Sequence, residues 1–307
     1  MDGILNIDKP RGETSFSIVS LVRRLSGERR VGHAGTLDPA ATGVLPICLG
    51  QGTRVIEYLV DSTKAYRAEI ELGVATDSYD AEGRTTQKGD PSGISLARLQ
   101  SALSSFCGLI PQIPPLYSAV KHQGKPLYEL ARAGIKVERK SRLVNIYHLE
   151  LVDWQSPVAT IEVVCGKGTY IRSLAHDLGQ ALGCGAHLKS LTRLRCGLFE
   201  IKDAVSLPQL EDAFRHGYWQ HFVYPIDSVL LHWAAMVVSD DARQDIRNGQ
   251  PLVFKDRDQR NACLEQAVLE QPASKNRCRA YSLDGRFLGV LRFNPENEQW
   301  QPEKVFH

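Results

Sequence analysis

The 307-residue chain is short of the features that make a class easy to read. No apolar run approaches the ~20 residues that a helix needs to cross a bilayer. Its first eight residues, from Met1 to Asp8, lack the basic flank and apolar core of a signal peptide. Seven cysteines, odd in number and widely scattered, do not make a disulfide framework, and without a C-x-x-C pair no cysteine zinc site is expected. A reduced, cytoplasmic protein is the expectation. Walker and Rossmann glycine patterns, internal repeats and low-complexity tracts are missing too, so the usual nucleotide cofactors find no anchor.

What is present is ordinary in bulk and segregated in detail. The hydrophobic fraction of 43% and charged fraction of 23% are those of a globular protein long enough for one large domain and a small one. Net charge is only +2, but the basic residues cluster. Between Lys121 and Arg142 seven of them (Lys121, Lys125, Arg132, Lys136, Arg139, Lys140, Arg142) face Glu129 and Glu138 alone. Between Lys167 and Arg195 five face only Asp177, whereas residues 61–90 are acidic. A segregated basic face is the footprint of a polyanion partner, although a solvated lysine-rich loop has the same composition.

Local patterns then order the chain. Ile4–Ile7 reads as a short strand, ended by the turn Asp8–Gly12. Thr14 and Ser15 are N-cap types for a helix through Leu25, with Ile18, Val19, Val22 and Leu25 on one face. Val44–Leu49 reads as a buried strand, Arg54–Val60 as a helix behind Thr53, and Ala65–Leu72 as a half-exposed strand. Ser95–Cys107 is a helix by its leucine spacing, and the proline-rich 111–119 is extended. A short helix is expected around Leu127–Arg132 inside the basic stretch, then strands Leu143–Leu151 and Ala159–Cys165. A helix opens at Thr169 and ends at Gly183. Further on, Val237–Leu252 suggests a helix, 260–277 is polar and poorly patterned, and Arg279–Phe293 is a hairpin turned by Asp284–Gly285. Residues 1–228 and 229–307 are the expected domains, with a basic insertion at about 115–142.

The stretch Gly32–Gly43 sets three glycines, a proline, a histidine and one carboxylate within twelve residues. Neither an amphipathic helix nor a central strand tolerates that composition, so it reads as a shaped loop presenting Asp38. Two other features stand out: Tyr66 beside Lys64 on a strand, and Arg172 at the corner Lys167–Arg172. An exposed tyrosine among basic residues suits an unpaired base beside a phosphate backbone, and a helix-opening arginine can hold a carboxylate ionised. Taken singly, each also fits a structural role.

In order along the chain, these motifs resemble the TruB family of tRNA pseudouridine synthases. The resemblance rests on Asp8–Lys9–Pro10, Gly12 and Thr14–Ser15, and on Gly32–Pro39 with Ala41, Gly43 and Leu45. Lys64–Ala65–Tyr66, Pro114–Ala119 with Lys121, Gly168–Arg172, Gly183–His187 and Leu191 complete it. It implies an α+β fold: a pseudouridine-synthase core with a mixed, mainly antiparallel central sheet flanked by helices, then a small β-rich PUA-like RNA-binding module. The implied reaction is isomerisation of the T-loop uridine at position 55 of tRNA, redox-neutral and needing no cofactor or metal. Asp38 would be the catalytic carboxylate, Arg172 its ionic partner and Tyr66 the base-stacking residue and a candidate proton acceptor. Tyr170 and Leu191 would line the pocket and His33 fill the space left by a flipped base. Lys9 would brace the loop or touch phosphate. Lys121, Lys125, Arg132, Lys136 and Arg139 would grip the tRNA backbone as a thumb. A stand-alone monomer without an obligatory protein partner or membrane is expected. Two rivals stay open: an RNA binder without chemistry, to which a carboxylate near a polyanion is a hindrance, and a nucleoside or glycoside hydrolase, which needs a second carboxylate that no motif supplies beside Asp38.

Overall fold

Runs with apolar residues at every position make strands covered on both faces, and alternating runs make strands with one wet face. The computed structural model of the chain describes residues 1–135, 137–252 and 276–306, the side chain of Arg132 excepted. Lys136, the Arg132 side chain and positions 260–275 of the polar stretch therefore lie outside the described residues. The main strands are β1 (Gly3–Lys9), β2 (Thr42–Leu49), β3 (Lys64–Leu72), β4 (Gly108–Gln112), β5 (Arg142–Gln155), β6 (Val158–Cys165), β7 (Ala186–Cys196) and β8 (Val205–Ser206). They form one sheet in the order β8-β1-β2-β7-β3-β6-β5-β4. β1 runs parallel to β8 and β2 to β7, while β7, β3, β6, β5 and β4 pair antiparallel in turn. β2 is buried at all but its first residue, and β6 alternates strictly. Pro111 sits in β4, the sheet edge, where a missing donor is tolerated.

Helices α1 (Ser15–Ser26), α2 (Leu96–Ser104), α3 (Leu127–Arg132), α4 (Ile171–Leu182) and α5 (Leu207–His216) accompany this sheet. α2 and α4 bring Leu99, Leu103, Leu174, Leu178 and Leu182 into one core with Ile70, Ile146, Ile161 and Val163 of the sheet. Each such side chain contributes about 1.5–3 kcal/mol by leaving water. Caps fix the helix ends as the sequence implies: the Thr14 side chain accepts from Ser17 N, and Gly183, at φ +77°, closes α4. Ser15, read as a second cap, is buried and bonded elsewhere. The expected helix 54–60 is instead a 3-10 turn, Gly50–Val55, followed by helix Ile56–Asp61, because Thr53 Oγ1 donates back to Gly50 O inside that turn.

The chain divides into two compact units, Leu5–Ile47 with Leu59–Phe222, and Met1–Ile4 with Cys48–Tyr58 and Val223–His307. The second unit thus takes in two N-terminal segments. Local fit explains this: Asp2 Oδ1 accepts from Gln51 N, the Tyr58 ring meets Trp233 edge-on at 4.9 Å, and Arg54 donates to Val305 O. Its own sheet is β9 (Ala234–Val238), β10 (Arg277–Ser282), β11 (Phe287–Asn294) and β12 (Gln299–Val305), in that order. The Asp284–Gly285 hairpin joins β10 to β11 as the sequence indicates. Val237–Leu252 is not one helix. Val237 and Val238 pair in parallel with Tyr281 and Ser282, Ser239 caps α6 (Asp240–Arg247), and Leu252 bridges to Trp300. β-branched residues beside an open strand edge form a strand whatever helical spacing they show.

Candidate active site

The Asp38 loop is tied down from every side. Lys9, fully buried, donates from Nζ to Pro10 O at 2.9 Å, Glu13 O at 2.7 Å and Pro39 O at 3.3 Å. Gly12 N donates to the same Pro39 carbonyl. Ser15 Oγ donates to Leu37 O and accepts from Leu37 N, and Ala41 N donates to Asp38 O. From β7, the buried Arg193 gives Nε to Val44 O at 2.6 Å and both Nη atoms to Gly35 O at 3.3 Å. The register of β2 on β7 demands glycine at position 43. With φ +99°, a Cβ there would stand 2.3 Å from Arg193 O. The loop's composition is the local price of holding one carboxylate still.

Opposite it, α4 starts at Ile171, with Tyr170 as its N-cap residue. Gln112 holds that corner, its side chain accepting from Tyr170 N at 2.8 Å and donating to Tyr170 O at 3.0 Å. The first turn of α4 then sets Arg172 Nη2 3.0 Å from Asp38 Oδ2. The Arg172 side chain is 7% exposed, whereas that of Asp38 is 43% exposed. Protein atoms nevertheless crowd the carboxyl. Burial pushes Asp38 above the ordinary carboxylate value and Asp80 adds to the rise, while Arg172 and Lys9 pull it back.

Asp80 is the residue that sequence reasoning missed. Its Oδ2 lies 3.4 Å from Arg172 Nη1, so one guanidinium serves two carboxylates, and Arg172 Nη2 also donates to Tyr117 O at 2.9 Å. Asp80 Oδ1 accepts from Ser78 Oγ at 2.5 Å and Glu82 N at 3.1 Å. The 77–83 segment reads as a turn, and its pairing with Leu188 of β7 helps carry Asp80 to the site. This supplies the second carboxylate whose absence weighed against a hydrolase. Both of its oxygens are engaged, though, by Arg172 on one side and by Ser78 and Glu82 on the other, so Asp80 is placed to anchor the guanidinium.

Among the expected residues, Asp38, Arg172 and Leu191 line one cleft together with Arg11, Asp80, Leu188 and Lys189. Tyr66, His33, Tyr170 and Lys9 stand outside its lining. Tyr66 packs against the core and shares a hydrogen bond with Arg193; burial pushes its phenol up to about 12, which disfavours a phenolate at neutral pH. Burial and the neighbouring Arg193 lower His33, so its ring is neutral at pH 7. Tyr170 lies under the Arg142 guanidinium, 4.9 Å from the ring centre. Lys9 has committed its three protons to carbonyls and is a brace, with none left for phosphate. In the basic insertion, Lys121 and Lys125 are exposed on a two-stranded hairpin, while Arg139 turns inward to Tyr79 and Pro114. Arg193, which ties Tyr66 to the Asp38 loop, was also missed; a lone arginine in a strand gives no sequence signal. Among the described residues no group of three potential metal ligands converges.

Comparison with known proteins gives the family. Residues 23–171 match the model described as TruB family pseudouridylate synthase, N-terminal domain, and residues 172–231 match the tRNA pseudouridylate synthase B C-terminal domain. The tRNA pseudouridine synthase B of Dehalococcoides mccartyi is 44% identical over 307 residues, covering 100% of this chain and 97% of the relative. That of Pseudomonas aeruginosa is 44% identical over 255 residues, 82% and 84% of the two chains. A chain in the crystal structure of a Cbf5-Nop10-Gar1 complex has a TM-score of 0.75 at 26% identity, covering 99% of this chain and 85% of that one. With a near full-length relative at this identity and the Asp38–Arg172 pair in place, the chain belongs to the TruB family of pseudouridylate synthases.

Proposed function

We propose that this protein converts the uridine at position 55, in the T loop of tRNA, to pseudouridine, with Asp38 as the catalytic carboxylate. The observation that carries the reading is the 3.0 Å contact of Arg172 with Asp38 in an open cleft. The N1–C1′ bond breaks, the uracil turns, C5 bonds to C1′, C5 gives up its proton and N1 gains one. Atoms and electrons balance without a cofactor. Positive charge gathers at C1′ as the glycosidic bond opens, and a carboxylate beside it lowers that barrier. Asp38 serves only when ionised. Arg172 and Lys9 favour the anion against the burial that disfavours it.

The uridine must leave its folded loop, at a cost of a few kcal/mol. His33, neutral and next to the Asp38 loop, is suited to occupy the vacated space. Tyr66 lends a ring to the base and, with its hydroxyl on Arg193, stays a phenol. Lys121 and Lys125 meet the RNA backbone. The C-terminal residues act as a PUA-like RNA-binding module, and the enzyme works in the cytoplasm as a monomer without a guide RNA or protein partner. Tritium release from tRNA carrying [5-³H]uridine tests the core of this reading: wild type releases tritium and Asp38→Asn does not. Release by both, or by neither, refutes it.

A further inference from the structure

Arg139 was expected to face RNA, yet it points into the protein. Its Nη1 and Nη2 both donate to the Tyr79 hydroxyl at 3.4 Å, and Nη1 also donates to Pro114 O at 3.1 Å. Tyr79 is unusual in itself. It is one of three non-glycine residues with positive φ among the described residues, at +67°, a conformation that an L residue holds only under tertiary constraint. Its ring lies flat on His176, with centroids 3.9 Å apart and planes 14° from parallel. His176 follows Arg172 by one helical turn on α4, so the two share a face. The dipeptide Tyr79–Asp80 therefore grips that face twice, by a stack on His176 and by the Asp80–Arg172 ion pair.

From this geometry we propose that Arg139 is a positioning residue: seated on Tyr79, it holds Asp80 against Arg172 and so sets the Arg172–Asp38 pair for chemistry. The basic insertion thereby acts on the site as well as on the substrate, because Arg139 belongs to the same stretch as the exposed Lys121 and Lys125. The chain of contacts is continuous: Arg139 to Tyr79, Tyr79 through the backbone to Asp80, Asp80 to Arg172, Arg172 to Asp38. A plain RNA-binding cation would have no reason to place two donors on a half-buried phenol. The inference rests on the reading of Asp38 as the catalytic carboxylate.

Single-turnover tritium release and filter binding of tRNA, measured on the full chain, separate the two roles. Tyr79→Phe keeps the ring on His176 and removes the acceptor of Arg139. It and Arg139→Ala should each slow the single-turnover rate by about tenfold, a usual size for coupling between contacting side chains, with tRNA affinity within about twofold. Because both break one link, the double variant should be no slower than Arg139→Ala alone, and Arg139→Lys, which can still donate to the phenol, should regain part of the rate. A weaker affinity with unchanged rate, or rate losses that multiply in the double variant, overturns the proposal. Asp38→Asn is run beside them. If it is inactive while Arg139→Ala keeps the wild-type rate, the positioning role alone fails; if Asp38→Asn releases tritium normally, both readings fail.

Discussion

Asp177 lies in the middle of α4, the helix whose first turn presents Arg172, and burial pushes its carboxyl up to about 6 from an ordinary 3.8. Burial alone accounts for the rise. A carboxyl with a folded pKa above its unfolded one holds its proton more tightly in the native state, so ionising it works against the fold. The associated stability is whole at low pH, is lost as pH rises from about 3.8 to about 6, and stays lost above that. A shift of about two units at ~1.4 kcal/mol each gives a ceiling near 3 kcal/mol. Asp177 is only partly buried, and screening by solvent reduces the expected loss to about 1–2 kcal/mol. Asp177→Asn removes the titration. Its melting temperature should gain on wild type by about 3–6 °C between pH 4 and pH 7.5, the range expected for a unit of this size. Scanning calorimetry of both proteins across that range is the assay. A difference between the two that does not change with pH, or that moves in wild type's favour as pH rises, refutes the assignment of an uncompensated buried carboxyl.

Two further outcomes follow from local geometry. Gly43→Ala places a methyl 2.3 Å from Arg193 O at φ +99°, so strain and overpacking together should destabilise by at least ~3 kcal/mol, read as a fall in melting temperature; an unchanged melt would mean that β2 and β7 are not so closely apposed. Removing the exposed pair with Lys121→Ala/Lys125→Ala should flatten the slope of log affinity for tRNA against log salt by about 1.5, since each phosphate contact contributes ~0.7–0.9. A slope equal to wild type would remove the hairpin from the RNA interface.

Much of the scaffold was legible because short-range signals decide it. The Thr14 cap, the Gly183 stop, the alternation in β6 and the Asp284–Gly285 turn each act within a few residues of themselves. The short helix Leu127–Arg132 was read for the same reason. What failed depends on partners far away in sequence. Val237–Leu252 carries helical spacing, but an edge of β10 was waiting for Val237 and Val238. β7 hides its period of two behind register shifts at Leu188/Ser190 and Arg193/Arg195, so a strand that holds both Leu191 and Arg193 reads as featureless. α5 illustrates the opposite case. Ser206 and Gln209 form a capping box that short-range reading could have found and did not.

The site divides along the same line. Asp38 was visible because its loop is glycine-rich, and Arg172 because it opens a helix; their partnership is a matter of one ion pair. Lys9, Arg172 and Arg193 are all buried, and buried cations require compensation. Lys9 and Arg193 find it mainly in backbone carbonyls around the loop, so they stiffen it, and Lys9 adds a favourable charge near Asp38 without pairing with it. Arg172 alone meets carboxylates, and it meets two. Asp80 thus anchors the guanidinium and at the same time competes for it, raising the Asp38 carboxyl that Arg172 lowers. A sequence shows the first carboxylate and the cation but not this balance, because position 80 reaches Arg172 through contacts distant in the chain, among them a bridge to Leu188, more than a hundred residues further along.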